Sequence, residues 1–215
     1  LSKGEGMSQF FQIHPENPQP RLIKQAAEIL RAGGVIVYPT DSSYALGCQL
    51  GDKGALERIR RLRRLDDKHN FTLVCCDLSQ LGIFAKVDTG AFRLLKIHTP
   101  GPYTFILDAT REVPRMLLHP KRRTIGLRVP AHPIAQALLR ELGAPLMSVS
   151  LIMPDEDLPL SDPYDMRGLL EHHVDLIIDG GFGGLEASTV INLTGERPEV
   201  TRVGCGDPEP FLETA

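Results

Sequence analysis

Short apolar runs recur along the whole chain: Phe10–His14, Val35–Pro39, Phe71–Cys75, Tyr103–Leu107, Ile125–Val129, Val174–Ile178, Val190–Leu193 and Glu199–Val203. They alternate or run continuously apolar over a few residues, which predicts β-strands. Between several of them the apolar positions return every three or four residues instead. Over Pro20–Ala32 these are Leu22, Ala26, Ile29 and Leu30, with Gly33-Gly34 as a stop; over Ala131–Leu142 they are Ile134, Ala135, Leu138, Leu139 and Leu142. That period predicts helices, and Lys53–Arg64 and Gly90–Ile97 read the same way. Strands interleaved with helices point to a mixed sheet with helices packed on it, α/β or α+β. Pro145–Met147 is a further strand-like run that stops before Ser148, and the acidic stretch Pro154–Pro163 predicts a surface loop. No repeat, low-complexity tract or long linker divides the chain.

Composition narrows the class. The 215 residues are 42% hydrophobic and 24% charged, with 24 Lys+Arg against 27 Asp+Glu and a net charge of −3. This is an ordinary globular composition, unlike that of a disordered tail, a collagen or a coiled coil. No apolar run approaches the roughly 18 residues a membrane helix needs, so no membrane partner is expected. With no Trp and 6% aromatic residues, a base-stacking platform for single strands is a poor fit. The four cysteines lack metal-ligand spacing and read as small apolar thiols in a reducing cytoplasm, the expected location. No protein-bound metal is expected. Leu1–Gly6, ahead of Met7, reads as a cloning remnant outside the folded domain.

The densest charge feature is Glu57–Arg64 (ERIRRLRR), followed by Lys68 and His69. On a helical wheel Ala55, Leu56, Ile59 and Leu62 share an arc of about 120°, and Arg63 falls inside it. An arginine on the apolar side must snorkel, pair, or reach into a cavity and hold an anion. Arg60 and Arg64 point away from that arc and are expected to face solvent, with Arg58 and Arg61 on the other flank. A second basic cluster is Lys121-Arg122-Arg123. The glycine-rich segment 179–184, ahead of Ala187-Ser188-Thr189, could offer backbone N–H groups to an anion or be a plain loop. Thr40, Thr104, Ser148 and Ser150 lie at strand ends, where ligands bind in open sheets. No P-loop, dinucleotide fingerprint, nucleophile elbow or zinc spacing is present.

Several longer motifs now matter together. They are GGVIVYPTDSSYALGC at 33–48, RLRR with KHNFTLV across 61–74, TPGPYTFIL at 99–107, TIGLRVPAHPIAQALL at 124–139, PLMSVS at 145–150 and EASTVINL at 186–193. In this order they resemble the YrdC/YciO family, most closely its YciO branch. The family comprises threonylcarbamoyl-AMP synthase relatives also described as double-stranded RNA-binding proteins. The resemblance covers residues 7–212. It implies a YrdC/RibB-like α/β (α+β) fold, a single-domain twisted mixed sheet with flanking helices and a concave basic cavity. The implied activity is nucleotidyl transfer: L-threonine, bicarbonate and ATP, the last with Mg²⁺ as a substrate complex, become threonylcarbamoyl-AMP for tRNA modification. Carried over by position, Thr40, Thr104, Arg128 and Ser148 would hold threonine. Arg63, Asn70, Ser150, Ser188 and Arg202 would hold the nucleotide, with Arg61 and Arg63 as the catalytic cations.

Two motifs depart from the family pattern. Its K-x-R is Arg61-Leu62-Arg63 here, and its S-x-N is Ser150-Leu151-Ile152. Arg is a poor substitute for Lys at a phosphate clamp, and Ile removes a hydrogen-bonding amide. The expectation is therefore weak ATP binding and slow turnover. Two further readings stand beside it: a non-catalytic binder of tRNA or duplex RNA, and an enzyme that has moved to another adenylate substrate.

Overall fold

In the computed structural model, which describes residues 6–66, 69–119 and 121–212, one ten-stranded sheet organises the chain. Its strands are β1 (Gln9–Gln12), β2 (Ile36–Tyr38), β3 (Ala45–Gln49), β4 (Thr72–Val74), β5 (Tyr103–Asp108), β6 (Thr124–Arg128), β7 (Leu146–Ser150), β8 (Leu176–Asp179), β9 (Thr189–Asn192) and β10 (Glu199–Arg202). The spatial order is β1-β8-β2-β3-β7-β4-β6-β5-β9-β10, with parallel and antiparallel pairs mixed. The helices are α1 (Pro20–Arg31), α2 (Lys53–Arg63), α3 (Leu78–Phe84), α4 (Thr89–His98), α5 (Pro133–Leu142), α6 (Pro163–Leu170) and α7 (Glu209–Leu212). All eight runs read as strands form strands within a residue or two. The sequence reading left out β3, α3, α6 and α7. It also ended β7 too early, since Ser148 and Ser150 lie inside that strand. Lys68 and Leu1–Glu5 fall outside the described residues.

The two faces of the sheet are covered differently. One packs the buried sides of α2, α3, α4, α6 and α7 (Ile59, Leu81, Leu95, Met166 and Phe211 among them) against Val37, Leu46, Leu73, Phe105, Leu127 and Ile191. On the other, α1 and α5 pack Leu30, Ile134 and Leu138 over Ile36, Leu176 and Ile178, and this core ends at Val74 of β4 and Leu146 of β7. Each such large apolar side chain contributes on the order of 1.5–3 kcal/mol. Beyond Val74 the same face carries Thr124, Gly126 and Arg128 on β6, Thr104 and Ile106 on β5, and Val190 and Asn192 on β9. These are alternate positions on their strands, and they line an open cavity.

Local sequence chemistry aims the helices. Asp52 accepts from Ala55 N at 2.9 Å and caps α2, while Pro133 and the His132 ring, which accepts from Ile134 N at 3.1 Å, start α5. At the end of α2, Arg64 adopts a left-handed conformation (φ 50°) and Leu65 N bonds back to Arg60 O at 2.9 Å. Burial pushes the Cys48 thiol up to about 12 and the Cys75 thiol up as well, so both behave as packing groups. No helix among the described residues is long and apolar enough to cross a membrane.

Candidate functional site

The cavity holds about 720 Å³ above the uncovered half of the sheet. Ladder pairing places Ser148, Thr72, Gly126, Ile106 and Asn192 in one row across β7, β4, β6, β5 and β9. Four strand intervals make this row about 19 Å long. Gly126 sits near its middle, where a Cβ would lie 3.2 Å from Thr104 Cγ2 and 3.6 Å from Thr72 Oγ1.

Arg63, Arg128 and Arg202 all line this cavity, together with Thr40, Asn70, Thr104, Ser148, Ser150 and Ser188. Arg63 reaches in from the end of α2 and donates to Ser150 O at 2.7 Å; loss of hydration holds its guanidinium below its usual value. Arg202, from β10, donates to Ser188 O at 2.8 Å and to Ser188 Oγ at 3.3 Å. Desolvation, and then the nearby Arg128 charge, lower it as well. Arg128 is 8% exposed and donates from Nη2 to Asp41 Oδ1, while Asp41 Oδ2 accepts from Ala131 N at 2.9 Å. Asp41 carried no expectation from the sequence. The fork of Arg128 nonetheless meets a carboxylate of the chain itself before it meets a ligand.

Arg61 lies elsewhere. Residues two apart on a helix are about 200° apart around its axis, so Arg61 and Arg63 cannot face the same way. Arg61 is exposed, donates from Nε to Glu57 O at 3.4 Å, and lines an outer groove with Arg58, Arg64, Met153 and His173. Arg60 corrects the solvent-facing expectation: its side chain is 12% exposed and its guanidinium stands 5.6 Å from the Phe71 ring centroid. Arg64 does face solvent, paired with Asp155 at 3.1 Å.

A hydroxyl has one proton and two lone pairs, which fixes what each can still offer. Thr40 Oγ1 donates to Ser43 O at 2.6 Å and accepts from Ser42 N at 3.2 Å and, at 3.1 Å, from Ser42 Oγ. It is fully used in holding the turn at 40–43. Thr104 and Ser188 share a hydrogen bond of 2.7 Å, which leaves one proton of the pair to point elsewhere. Ser148 Oγ donates to Leu46 O at 2.9 Å and lies 2.7 Å from Tyr38 OH.

The glycine-rich segment is a packing device rather than an anion nest. A Cβ on Gly183 would stand 2.5 Å from the Tyr44 ring, and one on Gly184 would stand 1.9 Å from Ser42 O. The segment therefore presses against the turn that carries Thr40 and Asp41. At the far end of the cavity stands Arg122, from the second basic cluster, with His119, Asn192 and Thr194, which the sequence reading did not single out. The His119 ring accepts through Nδ1 from Arg122 N at 3.1 Å, so its proton is on Nε2. Only Asn192 had a signal in the sequence, as a polar position in the alternation along β9.

A twisted mixed sheet with a half-covered face and an arginine-lined hollow defines the class. A family model described as "Telomere recombination", that of the Sua5/YciO/YrdC proteins, matches residues 28–204, and the chain belongs to this family. It is 61% identical over 206 residues to YciO of Escherichia coli (strain K12), covering 96% of this chain and all of that one. The crystal structure of E. coli YciO superposes with a TM-score of 0.92. The threonylcarbamoyl-AMP synthase of Halorhodospira halophila is 31% identical over 178 residues, 82% of this chain and 92% of that one. P. abyssi Sua5, crystallised with L-threonine, superposes with a TM-score of 0.86 at 28% identity, covering 94% of this chain and 59% of that one.

Proposed function

We propose that the chain binds ATP, carrying Mg²⁺ as part of the substrate complex, together with L-threonine, and forms threonylcarbamoyl-AMP slowly. The observation that carries this reading is the convergence of Arg63, Arg128 and Arg202 on one cavity whose floor is lined with hydroxyls. The relatives named as threonylcarbamoyl-AMP synthases and the threonine-bound Sua5 support the choice of ligands.

The chemistry asks little of the protein beyond placement and charge. The neutral amine of threonine forms an N–C bond with carbon dioxide drawn from bicarbonate, and a proton leaves to water. A carbamate oxygen then attacks the α-phosphorus, the α–β P–O bond breaks, and pyrophosphate leaves with the electron pair. Arg128 takes the threonine carboxylate. Arg63 and Arg202 offset the charge that builds on the phosphate oxygens, and the spare proton of the Thr104–Ser188 pair adds a donor. Ile152 lines the cavity where the family pattern has an amide, and Arg61 lies outside it, which supports slow turnover. The test is pyrophosphate release that requires both L-threonine and bicarbonate. Release independent of threonine would overturn the reading.

The exposed Lys121, Arg122 and Arg123 beside the cavity favour a second reading, contact with the backbone of a tRNA or RNA duplex. RNA affinity that does not fall with salt would remove it.

A further inference from the structure

We propose that Tyr38 is a positioning residue that holds the Ser148 hydroxyl as an acceptor only, and that this acceptor receives an N–H of the ligand's amine. The inference rests on the amino-acid reading above and specifies how that ligand is recognised.

The proton count decides it. The single proton of Ser148 is donated to Leu46 O at 2.9 Å. The 2.7 Å contact with Tyr38 must then have Tyr38 as the donor. Desolvation raises the Tyr38 phenol to about 12, so it keeps its proton across the physiological range. One lone pair of Ser148 accepts from Tyr38 and one remains. Ser148 lines the cavity. Toward a ligand it can therefore accept but not donate, so it suits an amine N–H and gives nothing to a carboxylate, carbamate oxygen or phosphate.

The arrangement is rigid. Tyr38 is fully buried within β2, and Gly47 on the neighbouring β3 makes room for its ring, since a Cβ there would stand 2.9 Å from Tyr38 Cε1. Leu46 belongs to the same strand as Gly47, so the donor and the acceptor that constrain Ser148 come from adjacent strands. The Thr104–Ser188 pair has the opposite polarity, with one proton left to donate, and Arg202 stands beside it. The cavity thus accepts hydrogen bonds at Ser148 and donates them at the Thr104–Ser188 pair, Arg202 and Arg128, which orients an amino acid by its amine. An N–H remains on the nitrogen after it becomes a carbamate, so the contact outlasts the first chemical step.

Calorimetric titration of the purified chain with L-threonine and with 3-hydroxybutanoate, the same skeleton without the amine, tests this directly. The unmodified chain is expected to favour L-threonine by roughly tenfold to hundredfold. In Tyr38→Phe that ratio is expected to fall by about tenfold, with ATP affinity unchanged. An unchanged ratio, or equal weakening of L-threonine and ATP, would overturn the positioning role. If Tyr38→Phe does not fold, the unmodified chain still decides: near-equal affinities for the two ligands overturn the inference. Absence of any L-threonine binding overturns it together with the amino-acid reading, whereas binding with a ratio indifferent to Tyr38 overturns the inference alone.

Discussion

Replacing Asp41 with alanine isolates the nearly buried ion pair at the centre of the candidate site. The Arg128 and Asp41 side chains are 9% and 15% exposed, so water screens neither charge well. Asp41→Ala removes the partner of the guanidinium and also the acceptor for Ala131 N at the approach to α5. Stranding one charge of a buried pair costs about 3–5 kcal/mol. In a domain of this size each kcal/mol moves the unfolding midpoint by roughly 2–4 °C, so a fall of about 6–20 °C is expected by differential scanning calorimetry. A ligand carboxylate can take the vacated side of the fork. At a hundredfold excess over its Kd, a ligand returns about 2.7 kcal/mol. L-Threonine at a common concentration should therefore raise the midpoint of Asp41→Ala more than that of the unmodified chain, and L-threoninol, which has no carboxylate, should not. A loss below about 2 °C, or equal rescue by L-threoninol, would refute the assignment of Arg128 to a carboxylate.

Three further outcomes follow from other parts of the structure. Ile152→Asn should tighten ATP binding by roughly tenfold through one added hydrogen bond to a charged group, whereas Arg61→Lys alone should leave it unchanged because that side chain lies in the outer groove; calorimetric titration of each variant decides. Gly184→Ala drives a methyl against Ser42 O and should cost about 1–3 kcal/mol in denaturant unfolding, with loss of L-threonine binding as the turn at 40–43 moves; an unchanged midpoint would contradict the close packing. Burial lowers His69, His98 and His132 below 6.5, so the unfolded chain takes up protons more readily. Their contribution is present above pH 6.5 and lost on acidification, so the midpoint should fall from pH 7 to pH 5, and less steeply in His132→Asn, which keeps a capping oxygen but cannot be protonated at this position.

Sequence patterning revealed the elements whose chemistry is local. Strands with β-branched or aromatic residues, such as β5 and β6, and helices with a proline start or a glycine stop, such as α5, are visible from composition and period alone. β3 (ALGCQ) has neither β-branched residue nor aromatic and is buried because of its neighbours. β7 was cut short because Ser148 and Ser150 look like turn residues, although they are the cavity-facing half of an ordinary alternation. The prolines and acids ahead of α6 mask a sound start signal, Asp162 accepting from Tyr164 N at 2.9 Å. In the site, the wheel placed Arg63 on the inner side of α2. It also left Arg60 outside, because the Phe71 ring that covers it comes from beyond the helix. The Asp41–Arg128 pair joins residues 87 positions apart, a distance over which no periodicity carries information.

The uncovered half of the sheet has a consequence for how such a protein can change over time. β4, β6, β5 and β9 are held to one another by main-chain ladders that do not depend on which side chains rise from the floor. The apolar side chains that stabilise these strands project to the opposite face, under α2, α3, α4 and α7. Positions such as Thr72 and Thr124 can therefore be exchanged at little cost to folding, while each exchange alters what the hollow accepts. Chemistry and stability occupy opposite sides of the same strands. A chain built this way can lose one substrate and gain another through single substitutions, never passing through an unfolded ancestor.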